Sequence, residues 1–135
     1  MAAKARTTFD KEVVVVEDSE PVRKSLSLLL RTRGYRVLAF SHAREALEAA
    51  YPQRPDCFLI DFKMPDMDGL ELLGALRRAG FDAPAIMVTG VITSDLKAKA
   101  LAAGFHSLVE KPPHRLALMD EVAGAIASKP PPAAA

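Results

Sequence analysis

The stretch CFLIDFKMPDMDG, Cys57 to Gly69, decides how this chain is read. Four apolar residues run straight into Asp61, and a loop with Lys63, Pro65 and two further acids follows. A buried run that ends on a carboxylate is either a strand meeting its turn or a reactive group held out on purpose. The other apolar runs separate the two cases. VVVV (13–16), YRVLAF (35–40), AIMV (85–88) and SLVE (107–110) are short and β-branched or aromatic, and each reads as a strand. Helical segments stand between them. In the first of these, Val22, Leu26, Leu29 and Leu30 share a face, Ser19 is the expected cap, Pro21 suits the first turn and Gly34 the stop. SHAREALEAAY is a short helix ended by Pro52 and Pro55. GLELLGALRRAG stops at Gly80, SDLKAKALAAG runs from a Ser94 cap to Gly104, and RLALMDEVAGAIAS closes the series.

Strand and helix thus alternate five times, which predicts an α/β fold with a parallel sheet and helices on both faces. The near-uniform apolar character of the strands agrees, because central parallel strands are buried on both sides. Right-handed crossovers place every strand's C-terminal end on one edge, where open sheets of this kind bind ligands.

Composition narrows the function. At 135 residues the chain suits one domain, and its net charge of +1 gathers neither nucleic acid nor anionic lipid. Cys57, the single cysteine, falls inside an apolar run and reads as a packing residue. The N-terminal segment MAAKARTTFDKE lacks the apolar core of a secretory signal, and no stretch is long enough for a membrane span. A cytoplasmic setting is the expectation.

Four of the five strands end on chemistry. VVVV ends on Glu17 and Asp18, CFLI on Asp61, AIMV on Thr89 and SLVE on Lys111, while YRVLAF ends on Ser41. Singly, each residue has an ordinary role in a turn or cap. Together they bring three carboxylates, a hydroxyl and an amine to one edge, which turn chemistry does not require. Clustered carboxylates call for a cation, and hard oxygen ligands at a partly open site favour Mg²⁺. Asp61 beside that cation suits attack on phosphorus to form an aspartyl-phosphate, with Lys111 and Thr89 neutralising the phosphoryl oxygens. Pro112 and Pro113 restrict the backbone around Lys111, and a cis Lys111–Pro112 bond is compatible with the sequence.

The segments VVEDSEPVRKSL, LIDFKMPDMDGLELL, IMVTG and LVEKPP, in this order and spacing, resemble the receiver domains of bacterial response regulators, the CheY-like family. The resemblance covers about residues 12–128, leaving an N-terminal extension (1–11) and a Pro/Ala-rich tail (129–135). It implies a flavodoxin-like five-stranded sheet in the order 2-1-3-4-5. It implies that Asp61 accepts a phosphoryl group from a sensor histidine kinase or a histidine phosphotransfer protein. By position, Glu17, Asp18, Asp61 and the Lys63 backbone carbonyl hold Mg²⁺, Thr89 and Lys111 contact the phosphoryl group, and the N–H groups of Lys63 and Gly90 assist. The expected output is a change in contacts with a downstream protein.

One position departs from the family. Where a tyrosine or phenylalanine usually stands three residues before the lysine, this chain has Leu108, with Phe105 and His106 out of register. Two rivals to the receiver reading are a pseudo-receiver adaptor that keeps the fold without phosphorylation, and a phosphatase of the haloacid-dehalogenase type. The phosphatase needs a carboxylate two residues after the nucleophile, where this chain has Lys63. Direct nucleic-acid binding has no basic stripe to support it. Homodimerisation is left open, because Lys97 and Lys99 opposite Asp120 and Glu121 form too sparse a charge pattern.

Overall fold

The computed structural model of the chain describes residues 10–128. The expected tail and the extension up to residue 9 lie outside the described residues. Five strands and five helices alternate: β1 (Glu12–Val16), α1 (Glu20–Thr32), β2 (Arg36–Phe40), α2 (Ala43–Glu48), β3 (Cys57–Asp61), α3 (Gly69–Arg78), β4 (Ala85–Thr89), α4 (Ser94–Ala103), β5 (Ser107–Glu110) and α5 (Arg115–Ser128). All strand pairings are parallel, and the order across the sheet is β2-β1-β3-β4-β5, as expected.

The strands look uniformly apolar because both faces of the sheet are covered. Val14, Val16, Phe58, Ile60 and Met87 pack on one face with Ala43 and Ala46 of α2, Leu72, Leu73 and Leu76 of α3, and Leu96 and Ala100 of α4. Val13, Val15, Cys57, Leu59, Ile86 and Val88 pack on the other face, against Leu26 and Leu30 of α1 and Leu118 and Val122 of α5. Side chains alternate across the pleat, so one short run feeds two cores. Each fully buried side chain of this size contributes about 1.5–3 kcal/mol. The Cys57 thiol is fully buried, as expected.

Helix ends differ from the sequence reading in three places. Ser19 occupies the cap position of α1, but its side chain makes no capping bond. Its backbone N–H is instead taken by Glu17 Oε2 at 3.1 Å. In α4 the cap is Thr93, whose hydroxyl accepts from the Leu96 N–H at 3.0 Å, and Ser94 is the first helical residue. Helix α2 is shorter than its pattern, ending at Glu48 before the prolines are reached. The expected stops hold: Gly34, Gly80 and Gly104 all have φ between 92° and 106°, a backbone region that side chains oppose.

Strand β5 places Leu108 opposite Met87, half-buried against the α2–α3–α4 core. Phe105 is buried in the same core and His106 is exposed. Leu108 therefore packs at the margin of that core as a partly buried residue.

Candidate functional site

Asp61 and Thr89 are the last residues of β3 and β4, in neighbouring registers, so both side chains emerge at the C-terminal edge of the sheet. Glu17 and Asp18 follow β1 directly. The Glu17 N–H donates to the Phe40 carbonyl at 3.0 Å, which carries the β1–β2 pairing one residue past the strand. Lys111 follows β5, and its N–H donates to the Thr89 carbonyl at 2.8 Å. The Lys111–Pro112 peptide bond is cis.

These backbone positions bring the expected side chains together. One carboxylate oxygen from each of Glu17, Asp18 and Asp61 lies within 4.8 Å of the other two. Lys111 Nζ sits 2.9 Å from Asp61 Oδ1 and 2.7 Å from Glu17 Oε1. One ammonium therefore bridges two acids that are only 4% and 1% exposed. The Glu17 approach is an ion pair without hydrogen-bond alignment, so Glu17 Oε1 has charge beside it but no aligned donor. The Thr89 hydroxyl is turned to the β4–α4 loop, where it donates to the Val91 carbonyl at 3.4 Å. Lys63 is exposed at the rim, and the partner of Glu17 is Lys111 rather than Lys63.

The charges are unbalanced. Burial is the main force pushing the Asp61 carboxyl up to about 7, and the neighbouring Glu17 and Asp18 add to it against the pull of Lys111. For Asp18, burial acts upward. Hydrogen bonds with the Asp61 and Glu17 carboxyls, with Lys111 adding its attraction, hold it below the ordinary range. Burial works against the Lys111 ammonium, but Glu17 and Asp61 more than offset it and raise its pKa. Three carboxyls around one ammonium cannot all ionise cheaply. A hard divalent cation fits this donor set: clustered carboxylate oxygens, one of them buried without an aligned donor, facing an open cleft. That cleft is about 680 Å³ and is lined by Glu17, Asp18, Asp61, Lys63, Thr89 and Lys111, together with residues of α4.

The loop after Asp61 is fastened along its length. The Phe62 N–H donates to the Val88 carbonyl at 3.2 Å, and the Gly69 N–H returns to the Phe62 carbonyl at 2.8 Å. Asp68 caps α3 in a reciprocal pair with Glu71. Two supporting residues escaped the sequence reading. Arg23 Nη1 donates to the Glu17 carbonyl at 2.9 Å and lies 3.4 Å from that of Asp18, bracing both acids from α1. Gly69 lies so close beneath Asp61 that a Cβ there would be 2.7 Å from the Asp61 carbonyl oxygen. For Arg23 the only signal was its place one turn into α1, beside the two acids.

The response regulator receiver domain family matches residues 13–123, nearly all of the described fold. The chain belongs to this family. Nodulation protein W of Bradyrhizobium diazoefficiens is 34% identical over 113 residues, which cover 84% of this chain and 50% of that protein. The transcriptional regulatory protein FixJ of Rhizobium meliloti is 37% identical over 103 residues, covering 76% of this chain and 50% of FixJ. This receiver domain thus spans about half the length of these curated relatives. Among solved structures, a CheY-like receiver domain protein from Methanospirillum hungatei superposes with a TM-score of 0.79 at 27% identity, covering 87% of this chain and 94% of that one. A response regulator from Chloroflexus aurantiacus gives 0.80 at 28% identity, covering 87% and 98%. The receiver assignment agrees with the strand order and with the acids at the sheet edge. Among the described residues no helix is long and apolar enough to cross a membrane.

Proposed function

We propose that this receiver domain accepts a phosphoryl group onto Asp61 in a Mg²⁺-dependent reaction, from a phosphohistidine on a sensor histidine kinase or a histidine phosphotransfer protein. The observation that carries the proposal is the Lys111 ammonium bridging Asp61 and Glu17 within a cluster of three carboxyls at the open edge of the sheet. The bond from phosphorus to the imidazole nitrogen breaks with its electron pair leaving on the imidazole. A carboxylate oxygen of Asp61 forms the new bond to phosphorus.

The carboxylates of Glu17, Asp18 and Asp61, with the Lys63 carbonyl, would hold the metal. When bound, Mg²⁺ supplies positive charge against the acids and the phosphoryl oxygens. Lys111 is already within ion-pair distance of the accepting carboxylate, so a small shift brings its ammonium to a phosphoryl oxygen. Thr89 offers its hydroxyl proton to another oxygen, and Lys63 and Gly90, which line the same cleft, would add their backbone N–H groups. The domain acts on itself in this scheme, as a cytoplasmic signalling module and not as an enzyme with a separate substrate.

Output is assigned to the α4–β5–α5 face, because Thr89 leads into α4 and Lys111 joins β5 to α5. Phosphorylation shifts an existing equilibrium on that face and so changes contacts with a downstream protein. With Leu108 in place of an aromatic ring, the two states differ less at β5.

Incubation with acetyl phosphate and Mg²⁺, followed by intact-mass measurement, tests the proposal. A single phosphoryl adduct that disappears in Asp61→Asn is expected. No adduct would favour the adaptor role, and turnover of organic phosphates would favour a phosphatase. An adduct that persists in Asp61→Asn would move the acceptor to another residue.

A further inference from the structure

Helix α2 lacks a cap of its own. His42 stands at the cap position in an extended conformation, and its side chain makes no capping bond. The Ser41 and His42 side chains instead bind Glu45, at 2.9 Å and 3.1 Å. The cap comes from 22 residues further along the chain, where Asp66 Oδ2 accepts from the Arg44 N–H at 2.9 Å. Asp66 Oδ1 accepts from the Met67 N–H at 3.2 Å, so the carboxylate is held at both ends. The Arg44 N–H is the main influence keeping the Asp66 carboxyl below its ordinary range, with the Ala43 and Met67 amides adding to it.

The Asp66 bonds described here go to Arg44 and Met67, outside the acid cluster. Its loop, however, carries Lys63 and runs from Phe62 to the Asp68 cap. Met64 and Met67 anchor that loop to the core, and Gly69 closes it onto Phe62. Asp66 is the described side-chain bond that fastens the middle of the loop to a different helix.

We propose that Asp66 is a positioning residue: by capping α2 from the acceptor loop, it fixes the Lys63 backbone for metal binding and couples α2 to the state of the site. This rests on the Mg²⁺-dependent phosphoacceptor function proposed above. The bond is an equilibrium link, so influence runs both ways. Loosening α2 weakens the metal site, and filling the metal site stabilises the first turn of α2.

The test uses Mg²⁺ alone, with the whole chain, and two readouts. Calorimetric titration should give Asp66→Ala about fivefold weaker Mg²⁺ affinity, equivalent to about 1 kcal/mol at 1.4 kcal/mol per tenfold. Asp66→Asn keeps an oxygen that can cap and should recover most of the affinity. In the unmutated protein, saturating Mg²⁺ should slow hydrogen exchange at the Arg44 amide, a measurement independent of whether any variant folds. Unchanged Mg²⁺ affinity in Asp66→Ala, or an Arg44 amide indifferent to Mg²⁺, would overturn the coupling. An asparagine variant as weak as the alanine variant would do the same, since it would make charge rather than capping the cause. If the unmutated protein binds no Mg²⁺ and forms no adduct, the phosphoacceptor reading fails first.

Discussion

Replacing Gly69 with alanine sets two effects of opposite sign against each other. Gly69 opens α3, and its φ is not positive, so alanine is not opposed by backbone conformation. By helix propensity alone the substitution should stabilise, by about 0.5–1 kcal/mol. The new Cβ, however, would stand 2.7 Å from the Asp61 carbonyl oxygen and 3.2 Å from both Ile60 Cγ2 and Phe62 Cα, where ordinary contact begins at 3.4 Å. Two of those three atoms are backbone, and the third belongs to a fully buried side chain, so none can swing away. Overpacking of this kind costs about 1–3 kcal/mol. The steric term wins, for a net loss of about 1–2 kcal/mol and a fall in melting temperature of about 4–8 °C. Because the clash falls on the backbone of Asp61, the proposed acceptor, Mg²⁺ stabilisation should shrink in parallel. Gly124→Ala is the control: it lies in α5, where an added Cβ meets nothing within 4 Å, and it should raise stability by about 0.5–1 kcal/mol. Thermal melts followed by circular dichroism, with and without Mg²⁺, give both numbers. If Gly69→Ala melts at or above the parent, close packing under Asp61 does not constrain the site, and the reasoning is wrong.

Three further outcomes are expected. Without metal, Asp61→Asn should stabilise the fold increasingly as pH rises. The folded carboxyl titrates near 7 while the unfolded one titrates near 4, so parent stability is lost between those values, and melts at pH 4.5 and pH 8 in EDTA should show a gain only at the higher pH. Thr93→Ala should cost about 1 kcal/mol through loss of the α4 cap, whereas Ser94→Ala should be near neutral or slightly favourable; equal effects in urea titrations would contradict the cap assignment. Lys63 is exposed at the rim of the cleft, where its long stem can shield a phosphoryl group from water, so Lys63→Ala should lose phosphate faster by a factor of about three, or about 0.65 kcal/mol in the barrier. Equal or slower loss at saturating Mg²⁺ would argue that the side chain points away.

The strands were legible because burial on both faces leaves short apolar runs with little to confuse them, and their polar ends follow from chain direction alone. That is why Glu17, Asp18, Asp61, Thr89 and Lys111 could be named together before any geometry was known. Local competition was harder to read. Thr93 and Ser94 are adjacent hydroxyl residues, and the choice between them turns on which has extended dihedrals. Ser19 holds the cap position of α1 without a side-chain capping bond, and its backbone N–H goes to Glu17 Oε2. The cap of α2 was out of reach, since Asp66 lies 22 residues away and no local pattern points to it. Gly69 read only as the first residue of the α3 segment, and its close approach to Asp61 appears only once α3 is laid against β3.

The Thr89 hydroxyl carries a single proton, and here that proton is committed to the Val91 carbonyl. It cannot serve a phosphoryl oxygen at the same time. On the proposed chemistry the two bonds are exclusive alternatives, so occupancy at Asp61 and freedom of the β4–α4 loop are read from one atom. At 3.4 Å the present bond is long and costs little to give up. Val91, two-thirds exposed at the tip of that loop, is then the residue whose surroundings report which alternative has been taken.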